Sequence, residues 1–456
     1  MKHNQLSFRH KVYYAMPEIA FASVIAPVAG ILPTLYAKHA MLSVAATGLI
    51  FLVMRIFDGV TDPLIGYLSD RTRTRIGARK PWIIVGGVLV MVSVFFLFRI
   101  PPDAGAGYFG AWALLYYLGN TMYAVPHMAW GSEIIEDYNQ RALVFSFRSI
   151  ASECGTLTYT LLPLLLFYFG VVRSTEFTPE VIRWLAYVVL VTFPVLITLN
   201  VLLAPVGHLA PPERTTIKGV YSAVLHNAPL LRFLSAYVLA GAGYGFFAAL
   251  FFPFLDSYMQ LGDKVPVLII SMSLSALISL PVWVHVVSRV GKHRAWAYGW
   301  IINSLCLLPL AFVSPGESAL YLVLLCFSVY GFSNGVSAIA PFALMADIVD
   351  YDILKTGVDR AGSFYAFLYL TAKLTAAIGG FALVILGMFF GYQLEEGVVN
   401  TSFSNMGIVI LFCVVSGALQ LTAIPLIWNF PINKRRHDII RKRISQRLER
   451  AAHLQH

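Results

Sequence analysis

The feature that most restricts what this chain can fold into is a recurrence of long apolar stretches separated by short polar turns. They fall at 13–37, 43–69, 81–100, 107–132, 143–170, 182–205, 229–258, 264–288, 295–313, 318–346, 362–391 and 403–430. A bilayer core takes roughly 20 helical residues to cross, so the pattern predicts twelve transmembrane helices. Several are interrupted, by Pro27, Pro33, Pro163, Pro253, Pro281, Pro341 or Pro425. With 58% of the 456 residues hydrophobic and 12% charged, a soluble globular protein of this length is excluded.

Charge sets the orientation. Of the 33 Lys and Arg, Arg55, Arg148 and Lys373 lie within apolar stretches, and Lys38, Arg99, Arg173, Arg183 and Lys264 lie in turns on one side. All the others fall in the terminal segments or in turns on the opposite side, which the positive-inside rule places in the cytoplasm with both termini. The first apolar stretch is full length with no small-residue cleavage pattern, so no removable signal peptide is expected. The net charge of +10 belongs to these turns and to a basic tail, not to a nucleic-acid-binding face. Ile440, Ile444 and Leu448 make that tail an amphipathic helix expected to lie on the inner leaflet. Cys154, Cys306, Cys326 and Cys413 sit in apolar stretches without metal-ligand spacing and read as packing residues.

The most informative stretch is MRIFDGVTDPLIGYLSDRTRTRIGARKPW, residues 54–82. On a helix Asp58 and Asp62 share one face a turn apart, with Arg55 three residues earlier. Counting back at ~1.5 Å per residue from the basic turn puts both carboxylates near the bilayer centre, where each costs about 2.5–3.5 kcal/mol to insert. An Arg55–Asp58 pair that only locked two helices would be complete without Asp62. Two carboxylates beside the Thr61 hydroxyl suit Na⁺ or a shared proton.

The chain repeats itself at an offset of about 214 residues: Arg75, Gly77 and Trp82 answer to Arg289, Gly291 and Trp296, and Asn120 to Asn334. The expected organisation is a six-helix bundle at 1–205, a cytoplasmic linker at 206–228, a second bundle at 229–430 and a basic tail at 431–456. Such paired bundles hold a substrate near the midplane and alternate access by rocking.

The turn GYLSDRTRTRIGARKPW resembles the signature loop of the major facilitator superfamily. That likeness implies cytoplasmic gate roles for Asp70, Arg71 and Arg79, and for Arg289 and Arg294 in the second repeat. DGVTDP with KPW, ADIVDYDILKTG, and LYLTAKLTAAIGG together resemble the glycoside-pentoside-hexuronide:cation symporters, over nearly the whole chain. The resemblance implies that Asp58, Asp62, Thr61 and Thr121 bind the cation, that Lys373 lies near both cation and sugar, and that Arg148 binds the sugar. Two positions depart from the melibiose permease pattern: Ala22 and Ala124 stand where that pattern has sugar-binding carboxylates. Glu18, one turn before Ala22, and Glu153 are candidate replacements, with Glu153 also a candidate proton site. His127 is a further candidate substrate contact, and Tyr369 a candidate for stacking on a sugar ring.

The expected protein is a membrane-embedded symporter, not an enzyme. It needs no cofactor beyond its coupling ion, Na⁺ or H⁺, and imports a sugar, glycoside or sugar acid, with lysophospholipid or another amphiphile as the alternative cargo. It is expected as a monomer in the cell inner membrane, in contact with lipid and with no nucleic-acid partner. Counting Arg148 and Lys373 as cations that lost their carboxylates at 22 and 124 also favours an acidic sugar over its neutral counterpart. Asp58→Asn and Asp62→Asn are each expected to abolish cation-driven accumulation while leaving insertion intact. A double variant that still concentrates substrate against a gradient in vesicles would place the cation site elsewhere.

Overall fold

A computed structural model describes residues 6–40, 42–134, 138–206, 224–357, 361–395 and 398–453. Most of the expected linker, 207–223, therefore lies outside the described residues, as do the side chains of Asp70 and Tyr369. The regular elements among the described residues are all helices: α1 Phe8–His39, α2 Val44–Arg71, α3 Lys80–Leu97, α4 Ala106–Glu133, α5 Tyr138–Tyr168, α6 Pro179–Leu203, α7 Ala228–Tyr258, α8 Val265–Val290, α9 Lys292–Leu307, α10 Glu317–Thr356, α11 Ala361–Met388, α12 Ser402–Trp428 and α13 Lys434–His453. Among the described residues eleven helices are long and apolar enough to cross a membrane. α4 is not one of them, because Gly, Tyr, Trp, Asn and His dilute its hydropathy.

The prolines act unequally. Pro27 opens a π turn at Pro27–Ile31, closed by Leu32 N–H on the Pro27 carbonyl, and Pro253 precedes another at Phe254–Tyr258, closed by Met259 N–H on the Phe254 carbonyl. Pro163 and Pro281 sit inside unbroken helices. α10 is tightened into a 3₁₀ turn at Gly335–Ala338 ahead of Pro341 and then runs on to Thr356. It stops at Gly357, whose φ of +74° ends the helix in a left-handed cap. The acidic ADIVDY segment, which begins where the apolar stretch 318–346 ends, is therefore helical.

Two compact units divide the chain. The first comprises 1–212, 248–270 and 380–408; the second comprises 213–247, 271–379 and 409–456. In the first, close helix crossings depend on glycine. A Cβ on Gly86 of α3 would lie 2.6 Å from the Tyr123 backbone nitrogen of α4. One on Gly155 of α5 would lie 2.3 Å from the Ile19 carbonyl oxygen and 2.9 Å from the Ala22 Cβ of α1. Ala22 is thus a helix-contact residue, and a larger side chain there would push α1 off α5. At the far end of α1, Lys38 Nζ lies 3.3 Å from Glu176 Oε1 and 3.2 Å from Asp256 Oδ2.

In the second unit Trp296, Trp300, Phe233 and Leu344 centre an aromatic-rich core. The tail helix α13 corrects an expectation. Ile440 and Ile444 pack into this core, and His437 Nε2 sits 3.2 Å from Asp347 Oδ1 and 2.9 Å from Asp350 Oδ2 of α10. Two residues of the apolar stripe are thus met by protein, and the side chain of Leu448 lies outside the described residues.

Two tests follow from this packing. Gly155→Ala is expected to cost about 1–3 kcal/mol by overpacking the α1–α5 crossing, read as a lowered melting temperature in detergent; an unchanged melt would mean that the helices part freely. The Glu176 carboxyl is held above its ordinary range by burial and by the neighbouring Asp256 charge, against the pull of Lys38. Its contribution to stability is therefore full below the ordinary carboxylate range and is lost as pH rises through the folded value. Relative to wild type, Glu176→Gln should melt higher at neutral pH and gain nothing at about pH 4; an equal gain at both would rule out the carboxyl's titration.

Candidate functional site

Two clusters of buried polar side chains occupy the first unit. In the first, Asp58 and Asp62 project from α2 towards α4. Asp58 is 1% exposed and lies ~20 Å of helix from either end of α2. Thr121 Oγ1 is 2.8 Å from Asp58 Oδ1 and 2.9 Å from Asp62 Oδ1. A hydroxyl carries one hydrogen, so it can donate to only one of these carboxylates at a time. The other contact sets a lone pair against a carboxylate oxygen, which is favourable only when a proton or a cation stands with it. The chemistry of this donor set therefore fits a proton or a small cation. Arg55 Nη1 is 3.8 Å from Asp58 Oδ2, and its guanidinium lies over the rings of Phe51 and Tyr117. Thr61 turns its hydroxyl to its own helix, within donating reach of the carbonyls of Phe57 at 3.0 Å and Asp58 at 3.3 Å.

The second cluster begins at a break in α1. Pro17 has no N–H to give to the Tyr13 carbonyl four residues back. Asn200 of α6 supplies the donor, its Nδ2 reaching Tyr13 O at 2.8 Å and Tyr14 O at 3.0 Å. The Tyr14 carbonyl also lies 3.0 Å from His127 Nε2 of α4, and the Tyr14 hydroxyl donates back to the His127 carbonyl at 2.8 Å. The two rings stack at 4.4 Å, and Tyr123 stacks on the other face of His127 at 5.1 Å. Since a carbonyl only accepts, Nε2 carries the hydrogen in this network. Beside the imidazole stands Glu18, 4% exposed, held in a fork by Arg148 of α5: Nε to Oε2 at 3.1 Å and Nη2 to Oε1 at 2.8 Å. Gly155 lies two turns beyond Arg148 on the same stripe of α5, so the close α1–α5 crossing brings the guanidinium to the carboxylate.

Two charge expectations change here. Arg148 is already matched by Glu18, so the count that treated it as a cation seeking an acidic sugar loses its main contact. Glu153 is exposed and lies about 140° around α5 from Arg148, five residues on. Lys373 belongs to the second unit, partly buried near the middle of α11 between Thr371 and Thr375. In the first basic turn, Arg79 is buried and Nη1 donates to Ser69 Oγ at 2.7 Å, while Arg71 lies over the Tyr67 ring. Gly77 and Gly291, paired by the repeat, both hold positive φ, +106° and +91°. In the second turn Arg289 is exposed and Arg294 lies over Trp428. The ion pair there is made by Lys292, Nζ to Asp347 Oδ1 at 2.6 Å. Sequence reading missed Lys292 and the Lys38–Glu176–Asp256 cluster. The signals available were a lysine at the start of one helix and an acid near the end of another, which are common without any pairing.

Comparison with known proteins agrees with this architecture. A model of the MFS/sugar transport protein family matches residues 13–434. The glucuronide carrier protein homolog of Escherichia coli K12 is 25% identical, covering 97% of this chain and 98% of that one. The sodium-dependent lysophosphatidylcholine symporter 1-A of Danio rerio is 21% identical over 89% of this chain and 82% of its own. Among solved structures, the nucleoside transporter NupG superposes with a TM-score of 0.65 at 12% identity, covering 94% of this chain and 100% of that one, a likeness of fold. The chain thus belongs to the MFS/sugar transport family and is a multi-pass, cation-coupled membrane transporter.

Proposed function

We propose that this transporter imports a sugar or glycoside together with Na⁺ or H⁺, with Asp58, Asp62 and Thr121 as the cation site and the Glu18–Arg148 pair as the polar wall that meets the sugar. The observation that carries the reading is the Thr121 hydroxyl set between two carboxylate oxygens at 2.8 and 2.9 Å. Nothing is gained by burying two like charges against one hydrogen unless a positive species joins them. A fork of carboxylate and guanidinium offers acceptors and donors side by side, which suits vicinal hydroxyls, each both donor and acceptor. The relatives named for glucuronide and for lysophosphatidylcholine bracket the cargo. The buried polar fork supports the sugar.

Uptake into proteoliposomes tests this with methyl β-D-glucoside, methyl β-D-glucuronide and lysophosphatidylcholine, each under a Na⁺ or a pH gradient. Thr121→Val should lower apparent cation affinity roughly ten- to hundredfold, the loss of a hydrogen bond to a charged group worth about 1.5–3 kcal/mol. Arg148→Gln should remove glucoside and glucuronide uptake together. Lysophosphatidylcholine as the only accumulated cargo, or unaltered ion dependence in Thr121→Val, would overturn the assignment.

A further inference from the structure

Among the buried groups that the Asp58–Asp62–Thr121 site does not use is His127 of α4. His127 is 0% exposed, its Nε2–H is committed to the Tyr14 carbonyl, and its Nδ1 has no hydrogen-bond partner. A buried acceptor left bare costs about 1–3 kcal/mol, so its persistence calls for an explanation. The polar atom that Nδ1 faces is Glu18 Oε2, 4.0 Å away. A carboxylate has no hydrogen to give to a lone pair, so the contact is idle while Glu18 is ionised and forked by Arg148. It becomes a hydrogen bond once a proton joins the pair.

We propose that Glu18 and His127 form a proton-binding site, separate from the Asp58–Asp62–Thr121 site, that fills when Arg148 withdraws from Glu18. The step balances simply. Arg148 moves its N–H donors from Glu18 to oxygens of the substrate, one proton passes from hydronium to Glu18 Oε2 and leaves water, and the new O–H donates to Nδ1 of neutral His127 after a side-chain shift of about an ångström, the difference between 4.0 Å and hydrogen-bond distance. No other bond changes. Withdrawing a guanidinium removes the charge that favours the carboxylate, so proton affinity rises. By linkage, a proton on Glu18 frees Arg148 for the substrate by the same factor.

The surroundings make the site selective for a proton. Among the described residues the titratable groups facing it are Tyr14 from α1, Tyr123 from α4 and Arg148 from α5, while α6 contributes only the Asn200 amide. The Tyr14 hydroxyl is spent on the His127 carbonyl and both imidazole faces are covered by rings. A metal cation would meet one carboxylate and one imidazole nitrogen beside a guanidinium, too few ligands and a like charge.

The inference rests on the reading of Arg148 as a substrate contact, so the decisive test needs no substrate. Arg148→Gln in the full-length chain in nanodiscs stands in for withdrawal, and acid-induced infrared difference spectra follow carboxyl protonation. A carboxyl should titrate at higher pH in Arg148→Gln than in wild type, and it should be lost in Glu18→Gln/Arg148→Gln. In His127→Phe/Arg148→Gln, where the ring remains and the acceptor is gone, its midpoint should fall by at least about one pH unit, tenfold in affinity. No such carboxyl, one that survives Glu18→Gln, or a midpoint indifferent to His127 would overturn the proposal. Should Arg148→Gln fail to fold, a pH dye inside proteoliposomes decides during methyl β-D-glucoside uptake driven by Na⁺. Wild type should carry protons in with the sugar while Na⁺ fills the Asp58–Asp62–Thr121 site; sugar that enters without protons would overturn the site. A wild type that moves no glucoside defeats the cargo assignment, and the infrared result still judges the proton site.

Discussion

A charge buried away from water must be met by an opposite charge, by hydrogen bonds or by a passing ion, and the first unit of this transporter is arranged around that requirement. Each ionisable group near its centre is accounted for in one of these ways. Glu18 has the fork of Arg148, Asp58 has Arg55 and Thr121, and Asp62 has Thr121. The same requirement explains why the helices cross where they do. A fork needs its two helices within reach, and the crossing of α1 on α5 is possible because Gly155 and Ala22 meet where larger residues would hold the helices apart. The replacement of a carboxylate by Ala22 is thus tied to the presence of Glu18. The acid stands one turn away from the contact that brings its partner near.

Backbone disruption supplies the second theme. Pro17 breaks α1 near its start, and side chains from two other helices meet the carbonyls there, Asn200 those of Tyr13 and Tyr14, and His127 that of Tyr14. In water such a carbonyl would be solvated cheaply; inside a membrane it must find a donor in the protein. A break that first weakens a helix becomes a fixed point tying α1, α4 and α6 together, and it settles which imidazole nitrogen carries hydrogen. The chemistry open to His127 therefore follows from a proline 110 residues away in sequence.

Transport requires that some of these satisfied pairs be exchangeable. A site whose groups are all permanently paired binds nothing, and one with bare charges does not insert. Arg148 and Glu18 are suited to exchange, because hydroxyls can replace either partner's hydrogen bonds and a proton on Glu18 removes the negative charge that Arg148 would leave behind. The Thr121 hydroxyl between two carboxylates has the same character at the cation site.

Much of this was legible in the amino-acid sequence, for identifiable reasons. Apolar runs of bilayer length, the asymmetry of Lys and Arg, the repeated R-x-G turns and the spacing of Asp58 and Asp62 are local quantities, set by helix rise, helix periodicity and the cost of burying charge. Gly77 and Gly291, matched by sequence alone, share a positive φ because each basic turn needs the same left-handed step. Which buried charges meet is a matter of crossing geometry between segments far apart in the chain, and no pattern along the sequence encodes it. Arg148 looked like a cation in search of an anionic substrate until α1 and α5 were seen to cross at Gly155. Glu153, nearer to Arg148 in sequence than Glu18, points elsewhere because five residues place it about 140° around the helix. Lys292 and Asp347, Lys38 and Asp256, and the docking of Ile440 were likewise decided only by tertiary structure. In each, the partner is chosen by which helix faces are pressed together, whereas the sequence determined that these groups, once placed in a membrane, must have partners at all.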